Sequence, residues 1–592
     1  MTLLLMALIG CGNDCTEVSG TTARPADCRD SGSTSWTTTT EETADPTDSG
    51  GTTDSGGTRD SGATTDTQDT DDGLLDVSAW DPYEIPVVEV TPVPLVPGGE
   101  ATVTYRGELR DGKDLMLHYG FNGWNEVSGI DGLETSWDTG DEDWYVQADL
   151  SPTGDGAWTV TVPLPTDGRA LHMVVNDRDT GVWDNNSTDD YAESISFPLI
   201  GPYLGWNGDT LPSTGVVVNF VTAVPCLGTV EYGTATDFGH VAVGEDFGTR
   251  HHIALTDLTP DTLVQYRVYD SRGRVSETRT FRTQPADSDA LSLLVMGDMQ
   301  DGGATQRWAE VATEVAASHS DAAAVLLVGD MAYNDKPGHW WTFFDRGRDL
   351  FATVPLMPVP GNHDTPGVDS LADLTRFVGW FDLPWADGAG TTSDTRWHLE
   401  LGPVALFGFN SEDALGFAPD EGDQFAWAAQ AVAASDAPWA FAAWHNPPYN
   451  VGTRHYREQH QFRDLTQHFD GQLDWVFSGH EHMAQRIVPM RYNAQDAASY
   501  GRSDGQGVGY LIAPPAGNEP STSIVPADDE DARYRDRLAF PAIDGDAASV
   551  DSELGFVRVD IAGETLTISI YGMGDLVEVI PAHVRETLSY SR

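Results

Sequence analysis

Between residues 291 and 482 the chain repeats one arrangement five times: a short apolar run, a sharp turn, then a side chain that can bind a metal or carry a proton. Leu291-Ser-Leu-Leu-Val-Met296 runs into Gly297-Asp298, and Ala324-Val-Leu-Leu-Val328 into Gly329-Asp330-Met-Ala-Tyr333. A run from Val354 ends in Gly361-Asn362-His363-Asp364. Trp439-Ala-Phe-Ala-Ala-Trp444 leads to His445-Asn446-Pro447, and Leu473-Asp-Trp-Val-Phe-Ser478 to Gly479-His480-Glu481-His482. Runs this short and this apolar read as buried strands, and a helical pattern over residues 304–318 separates the first two. The alternation predicts a layered α/β domain over residues 286–583. In such sheets ligands gather beyond the carboxyl ends of the strands, which brings the five motifs to one rim.

The rim then carries Asp298, Asp330, Tyr333, Asn362, His445, His480 and His482. Carboxylates and a phenolate are hard ligands suited to a trivalent ion, while imidazoles and an amide oxygen suit divalent Zn, Fe or Mn. With one carboxylate shared, the set fits two cations about 3.5 Å apart, a spacing that clamps a phosphoryl group and activates water. Gly-Asp or His-x-His alone is weak evidence. Five motifs in order, each at a strand end, are strong evidence.

The rest of the chain divides by composition. Residues 11–80 are dominated by Thr, Ser, Gly and Asp, with Asp48, Asp54, Asp60 and Asp66 in a six-residue register. So few apolar groups cannot offset chain entropy, and a disordered spacer is expected. Residues 85–198 and 200–285 read as two β-sandwich modules, each of short alternating runs separated by Gly, Asp and Pro turns. Ala101–Tyr105 and Trp158–Val162 are such runs in the first. In the second, about seven short strands are expected, with Val216–Phe220 and Gly228–Gly233 as separate ones.

The N-terminus reads Met1-Thr-Leu-Leu-Leu-Met-Ala-Leu-Ile-Gly-Cys11, too short to span a bilayer as a mature helix. The four cysteines, Cys11, Cys15, Cys28 and Cys226, have neither a disulfide-framework nor a zinc spacing. The formal net charge is -61, and Lys113 and Lys336 are the only lysines. A surface this acidic repels nucleic acid and anionic membrane, so neither is an expected partner. Salt adaptation and plain solubility both account for it.

Three resemblances add to this reading. Leu8-Ile9-Gly10-Cys11 resembles a bacterial lipobox, which implies lipidation at Cys11, a signal peptide over residues 1–10 and a membrane anchor; it lacks the usual basic start. Secretion without an anchor is the alternative. The patch His118–Asn125 and the block Trp183-Asp184-Asn185-Asn186 ahead of Tyr191 resemble starch-binding carbohydrate modules. That implies an α-glucan partner and sugar contacts from Trp124, Trp183, Asn185 and Asn186.

Residues 200–583 resemble purple acid phosphatases among the calcineurin-like metallophosphoesterases, including the fibronectin type III-like domain that precedes the catalytic one. The resemblance implies a phosphate monoester substrate and a metal-activated water as nucleophile. Asp298, Asp330, Tyr333 and His482 would hold a ferric ion; Asn362, His445 and His480 would hold divalent Zn, Fe or Mn; Asp330 would bridge. His363, His455 and Arg454 would serve the phosphate and the leaving group. Gln300, Arg454 and the Met483-Ala-Gln-Arg486 stretch depart from the family pattern, and they touch substrate choice. A phosphodiesterase using the same metals, and a glucan-binding surface lipoprotein with weak catalysis, are the alternatives.

Overall fold

A computed structural model describes residues 87–591, except 139–140, 235–237, 301–306, 367–372, 387–389, 391–394, 413–422, 456–461, 464–465, 467–471, 493, 496–499 and 501–506. The expected signal, Cys11, Cys15, Cys28 and the repeat segment lie outside the described residues. No helix among those described is long and apolar enough to cross a membrane.

The first module consists of two antiparallel sheets. One orders the strands Val88–Thr91, Glu100–Tyr105, Trp158–Pro163 and Ser151–Pro152. The other orders Tyr191–Ser194, Ala170–Asp177, Leu115–Phe121, Asp141–Asp149 and Glu134–Asp138, with Val182–Asp184 beside Ala170–Asp177. Glu100–Tyr105 alternates, and its inward residues Ala101, Val103 and Tyr105 share a core with Leu117, Tyr119, Leu171 and Met173 of the second sheet. Ala170–Asp177 is buried along its whole length. One face looks into that core; on the other, Ala170 joins the core of the C-terminal region and His172 meets the Trp341 ring.

The second module has fewer and longer strands than the runs suggest. Val216–Gly233 is one strand, and it pairs with Ile200–Gly205, His240–Leu255 and Leu263–Tyr269, the last of which pairs with Arg279–Arg282. The expected strands Val216–Phe220 and Gly228–Gly233 are its two halves, joined across a register shift between Val221 and Cys226. Pro225 sits in the shift, where a missing N–H breaks no ladder bond, so a residue that reads as a strand breaker becomes a bend. A buried ionic cluster ties this module to the first: Glu193 meets Arg272 at 3.1 Å and Arg274 at 2.8 Å, and Arg274 meets Asp270 at 2.8 Å.

The C-terminal region stacks two mixed sheets. In one, Ala290–Met296, Ala324–Leu327 and Leu356–Pro358 run parallel, with Gly555–Ala562, Thr565–Gly574 and Val579–Ser591 antiparallel beyond them. The last strand carries this sheet past residue 583. In the other, Val404–Gly408, Trp439–Ala443, Trp475–Ser478 and Val508–Ile512 are parallel. Leu293 and Val295 of the first sheet share a core with Trp439, Phe441, Trp475 and Phe477 of the second. Helices α1 (Arg307–Ser318) and α2 (Pro337–Phe351) connect the parallel strands of the first sheet and bury Trp308, Val315, Trp340 and Phe344.

Candidate metal centre

Asp298, Asp330, His445, His480 and His482 converge on one small volume, with Asn362 against His445. Ligand atoms of Asp330, His445 and His480 lie within 4.8 Å of one another, and so do those of Asp298, Asp330 and His482. All are buried, and Asp330 belongs to both sets. Within the cluster His445 Nε2 is 3.3 Å from Asp330 Oδ2, 3.2 Å from Asn362 Oδ1 and 3.2 Å from His480 Nδ1. His482 Nε2 is 3.4 Å from Asp298 Oδ1.

The backbone bends sharply to make this possible. Asp298, Asp330, His480 and His482 all adopt positive φ, between 54° and 74°, a conformation that costs about 1–3 kcal/mol each for residues other than glycine. The two glycines beside Asp330 act differently. Gly329 needs its φ of 94°, and a Cβ there would lie 2.5 Å from His445 Nδ1. Gly361 has ordinary backbone angles, but a Cβ there would lie 2.3 Å from Asp330 Oδ1. The first is a turn, the second a close approach.

A set of carboxylates holds the loops. Asp364 accepts backbone N–H bonds from Asp330, Met331, Ala332 and Gly361, all between 2.9 and 3.0 Å. Burial and the charge of Asp330 push its carboxyl up, while the amide donors favour its ionised form. Glu481, wholly buried, accepts the backbone N–H groups of Arg454 and His455 and the Asn450 amide. Ser411 Oγ accepts from the backbone N–H of both His445 and Asn446. Asp364 and Glu481 lie inside the sequence motifs, so their burial was the missing signal; nothing local in the sequence marks Ser411.

Electrostatics favour a cation. Burial pushes Asp298 up to about 7; the Asp330 charge adds to that push, and His445, the His480 backbone N–H and Arg454 oppose it. Burial also opposes charge on Asp330 and His445, but their mutual attraction outweighs it: Asp330 falls below the ordinary carboxylate range and His445 rises to about 10. Burial, then the nearby Arg454 charge, holds His482 well below its ordinary value, in the neutral form a metal requires. Gln300 is buried beside them, with Nε2 donating to Asp330 Oδ2 at 2.7 Å and Oε1 without a partner among the described residues. Buried oxygen and nitrogen donors with one shared carboxylate fit a pair of cations.

The remaining expected residues divide. His363 donates its backbone N–H to Asp330 Oδ1 at 2.9 Å, and its Nδ1 bonds the Tyr333 carbonyl, which leaves Nε2 to face elsewhere. The His455 ring stacks on His480 with centroids 3.7 Å apart, and Arg454 Nη1 lies 3.0 Å from His482 Nδ1. The Tyr333 ring stands between those of His339 and His363 and lines a cleft with Gln300 and Met331. The far wall of that cleft is Trp124, Asn125 and Asp143 of the first module, a contribution the sequence did not announce. Asn125 Nδ2 donates to Thr342 Oγ1 at 3.0 Å, and a Cβ on Gly338 would touch Trp124 at 2.8 Å.

The expected sugar-binding residues are not equivalent. Trp183 is 49% exposed, whereas Trp124 is wedged against α2 with its Nε1 donating to Asp190 at 3.0 Å. Asn186 Nδ2 is held by the Asp190 carbonyl at 2.9 Å, and Asn185 is half-buried.

Residues 291–484 match the calcineurin-like phosphoesterase family. Purple acid phosphatase 15 of Arabidopsis thaliana is 26% identical over 315 residues, covering 48% of this chain and 56% of that protein. Purple acid phosphatase 23 of the same plant is 27% identical over 277 residues, covering 40% and 58%. The chain thus spans little more than half the length of these relatives. The fold is shared with purple acid phosphatase PPD1 from yellow lupin seeds, at a TM-score of 0.55 and 14% identity over 85% of this chain and 96% of that one. PhoD also shares it, at a TM-score of 0.51 and 12% identity over 67% and 91%. The chain therefore carries a calcineurin-like metallophosphoesterase domain whose homologues include the purple acid phosphatases.

Proposed function

We propose that the protein is a phosphoric ester hydrolase of the purple acid phosphatase type, acting on phosphate monoesters with two metal ions. The two buried triads that share Asp330 carry this reading. In it, Asp298, Asp330, Tyr333 and His482 hold a ferric ion, and Asn362, His445 and His480 hold divalent Zn, Fe or Mn. When bound, the cations supply Lewis-acid stabilisation of the phosphoryl group and lower the pKa of water. The chain's own groups do the rest. Arg454, exposed above His482, binds a non-bridging phosphate oxygen. His363, oriented through its Nδ1–H to the Tyr333 carbonyl, is the group that passes a proton to the leaving oxygen once its Nε2 is also protonated, and His455, whose ring lies against His480, is the second group for that role. The test is turnover of p-nitrophenyl phosphate by protein supplied with Fe and Zn or Mn, against turnover of bis-p-nitrophenyl phosphate. A faster diester makes the protein a phosphodiesterase. A visible absorption band lost in Tyr333→Phe supports the ferric–phenolate assignment; a colourless active protein refutes it.

The exposed Trp183 indole supports a second element, an outer surface that stacks α-glucan and tethers the enzyme to it. Slower migration in a glycogen gel, abolished by Trp183→Ala, is the expected result. With lipidation at Cys11 the enzyme would sit outside the cytoplasm on a membrane anchor, tested by palmitate labelling that Cys11→Ala removes.

A further inference from the structure

Gln300 lies in the loop beyond strand Ala290–Met296, two residues past Asp298, and is 1% exposed. This loop is laid on the loop that carries Asp330. The Asp298 N–H donates to the Gly329 carbonyl at 3.1 Å, and the Met299 and Gln300 N–H groups donate to the Asp330 carbonyl at 2.9 and 3.1 Å. Those three bonds fix the backbone from which the Gln300 side chain starts. Its amide then crosses to the neighbouring loop, where Nε2 donates to Asp330 Oδ2 at 2.7 Å.

Both oxygens of Asp330 are therefore held by N–H groups. Oδ1 accepts the His363 backbone N–H at 2.9 Å, and Oδ2 accepts Gln300. An ionised carboxylate offers about four lone-pair positions. These two bonds use two of them and leave two, one for each cation of a shared carboxylate. They also oppose rotation of the carboxylate, which would otherwise let it close both oxygens on one cation. Oδ2 is the oxygen 3.3 Å from His445 Nε2, so Gln300 acts on the side of the triad Asp330, His445 and His480.

We infer that Gln300 is a positioning residue for the bridging carboxylate: its amide N–H holds Asp330 Oδ2 so that the carboxylate is shared between two cations. The inference rests on the two-cation reading of the site. It gives the departure from the family pattern at Gln300 a role in metal loading rather than in substrate choice.

The test is Co(II) binding to the full chain, followed by competition with a chromophoric chelator and with no substrate present. The wild type should take up two ions. Gln300→Met keeps the length and removes the N–H; it should bind one ion as the wild type does and the other about 10–100-fold more weakly. Gln300→Asn draws the amide back by one methylene and should do the same, which covers a Met variant that folds poorly. Gln300→Glu keeps the shape and an oxygen but loses the donor, and it too should bind the second ion more weakly. At limiting metal the Met and Asn variants should turn over p-nitrophenyl phosphate more slowly, recover as metal is added, and keep KM within about twofold of the wild type.

Two ions bound as tightly as in the wild type, in both the Met and Asn variants, overturn the inference. A raised KM with metal binding unchanged overturns it as well, because Gln300 then meets the substrate from the cleft wall. Tighter binding of the second ion in Gln300→Glu overturns it too, since a side-chain oxygen is then a ligand in its own right. A wild type that holds fewer than two ions overturns both this role and the two-cation reading. Two ions without ester turnover, and one of them lost from the variants, refute the phosphatase reading and support the role of Gln300.

Discussion

Around Asp330, side chains bury completely and hold one another through short contacts. Around Trp183, an indole of similar chemical promise stands in solvent, and its companion Trp124 serves as a wedge between the first module and α2. The contrast teaches where function can be concentrated. A metal rim needs several elements to agree within tenths of an ångström, and strand ends bound by Asp364 and Glu481 give that agreement. A sugar-stacking surface needs only a flat ring left uncovered, so whatever docks beside it decides its role.

The sharpest way to break this contrast is at the shared carboxylate. Asp330→Asn should lower phosphate ester turnover by about 10³-fold or more, since it removes several kcal/mol of metal-centred stabilisation. Steady-state kinetics at saturating metal checks this. Little loss would mean the rim is not the reaction centre.

Next in size is the wedge. Trp124→Ala opens a space at the Gly338 contact and leaves Asp190 without its donor, so it should cost about 2–3 kcal/mol. Denaturant melts would show it. An unchanged midpoint would return Trp124 to the surface class with Trp183.

The clamp comes third. Asp364→Asn cannot accept all four amide N–H bonds, and the Asp330 loop should loosen. Metal affinity should fall about 10–100-fold, measured by competition with a chromophoric chelator. The smallest effect belongs to Trp183→Ala. Removing a half-exposed indole should leave stability within about 0.5 kcal/mol and phosphate ester turnover unchanged.

The cluster of Asp298, Asp330, His445, His480 and His482 was readable in the sequence because its logic is local. A buried strand, a glycine and a ligand follow one another within a few residues, and parallel strands bring their carboxyl ends to one edge. The side chains that support the rim were less readable, because their roles depend on which loops fold over them. Trp124 and Trp183 look alike in sequence: each sits in a polar patch between β runs. The approach of Gly338 and the bond to Asp190 separate them, and Gly338 lies more than two hundred residues away in the chain. The long strand Val216–Gly233 was hidden for a related reason, since Pro225 ends a straight strand but is accepted at a register shift.

In the proposed function Asp330 joins two cations in one buried site. Metal analysis of the purified chain beside its Asp330→Asn variant tests it most directly, with phosphate ester turnover measured on the same samples. Two ions per wild-type chain are expected, with at most one in the variant and activity lost with the missing ion. An active wild-type protein holding one ion or none, or a variant keeping both ions and full turnover, would contradict it.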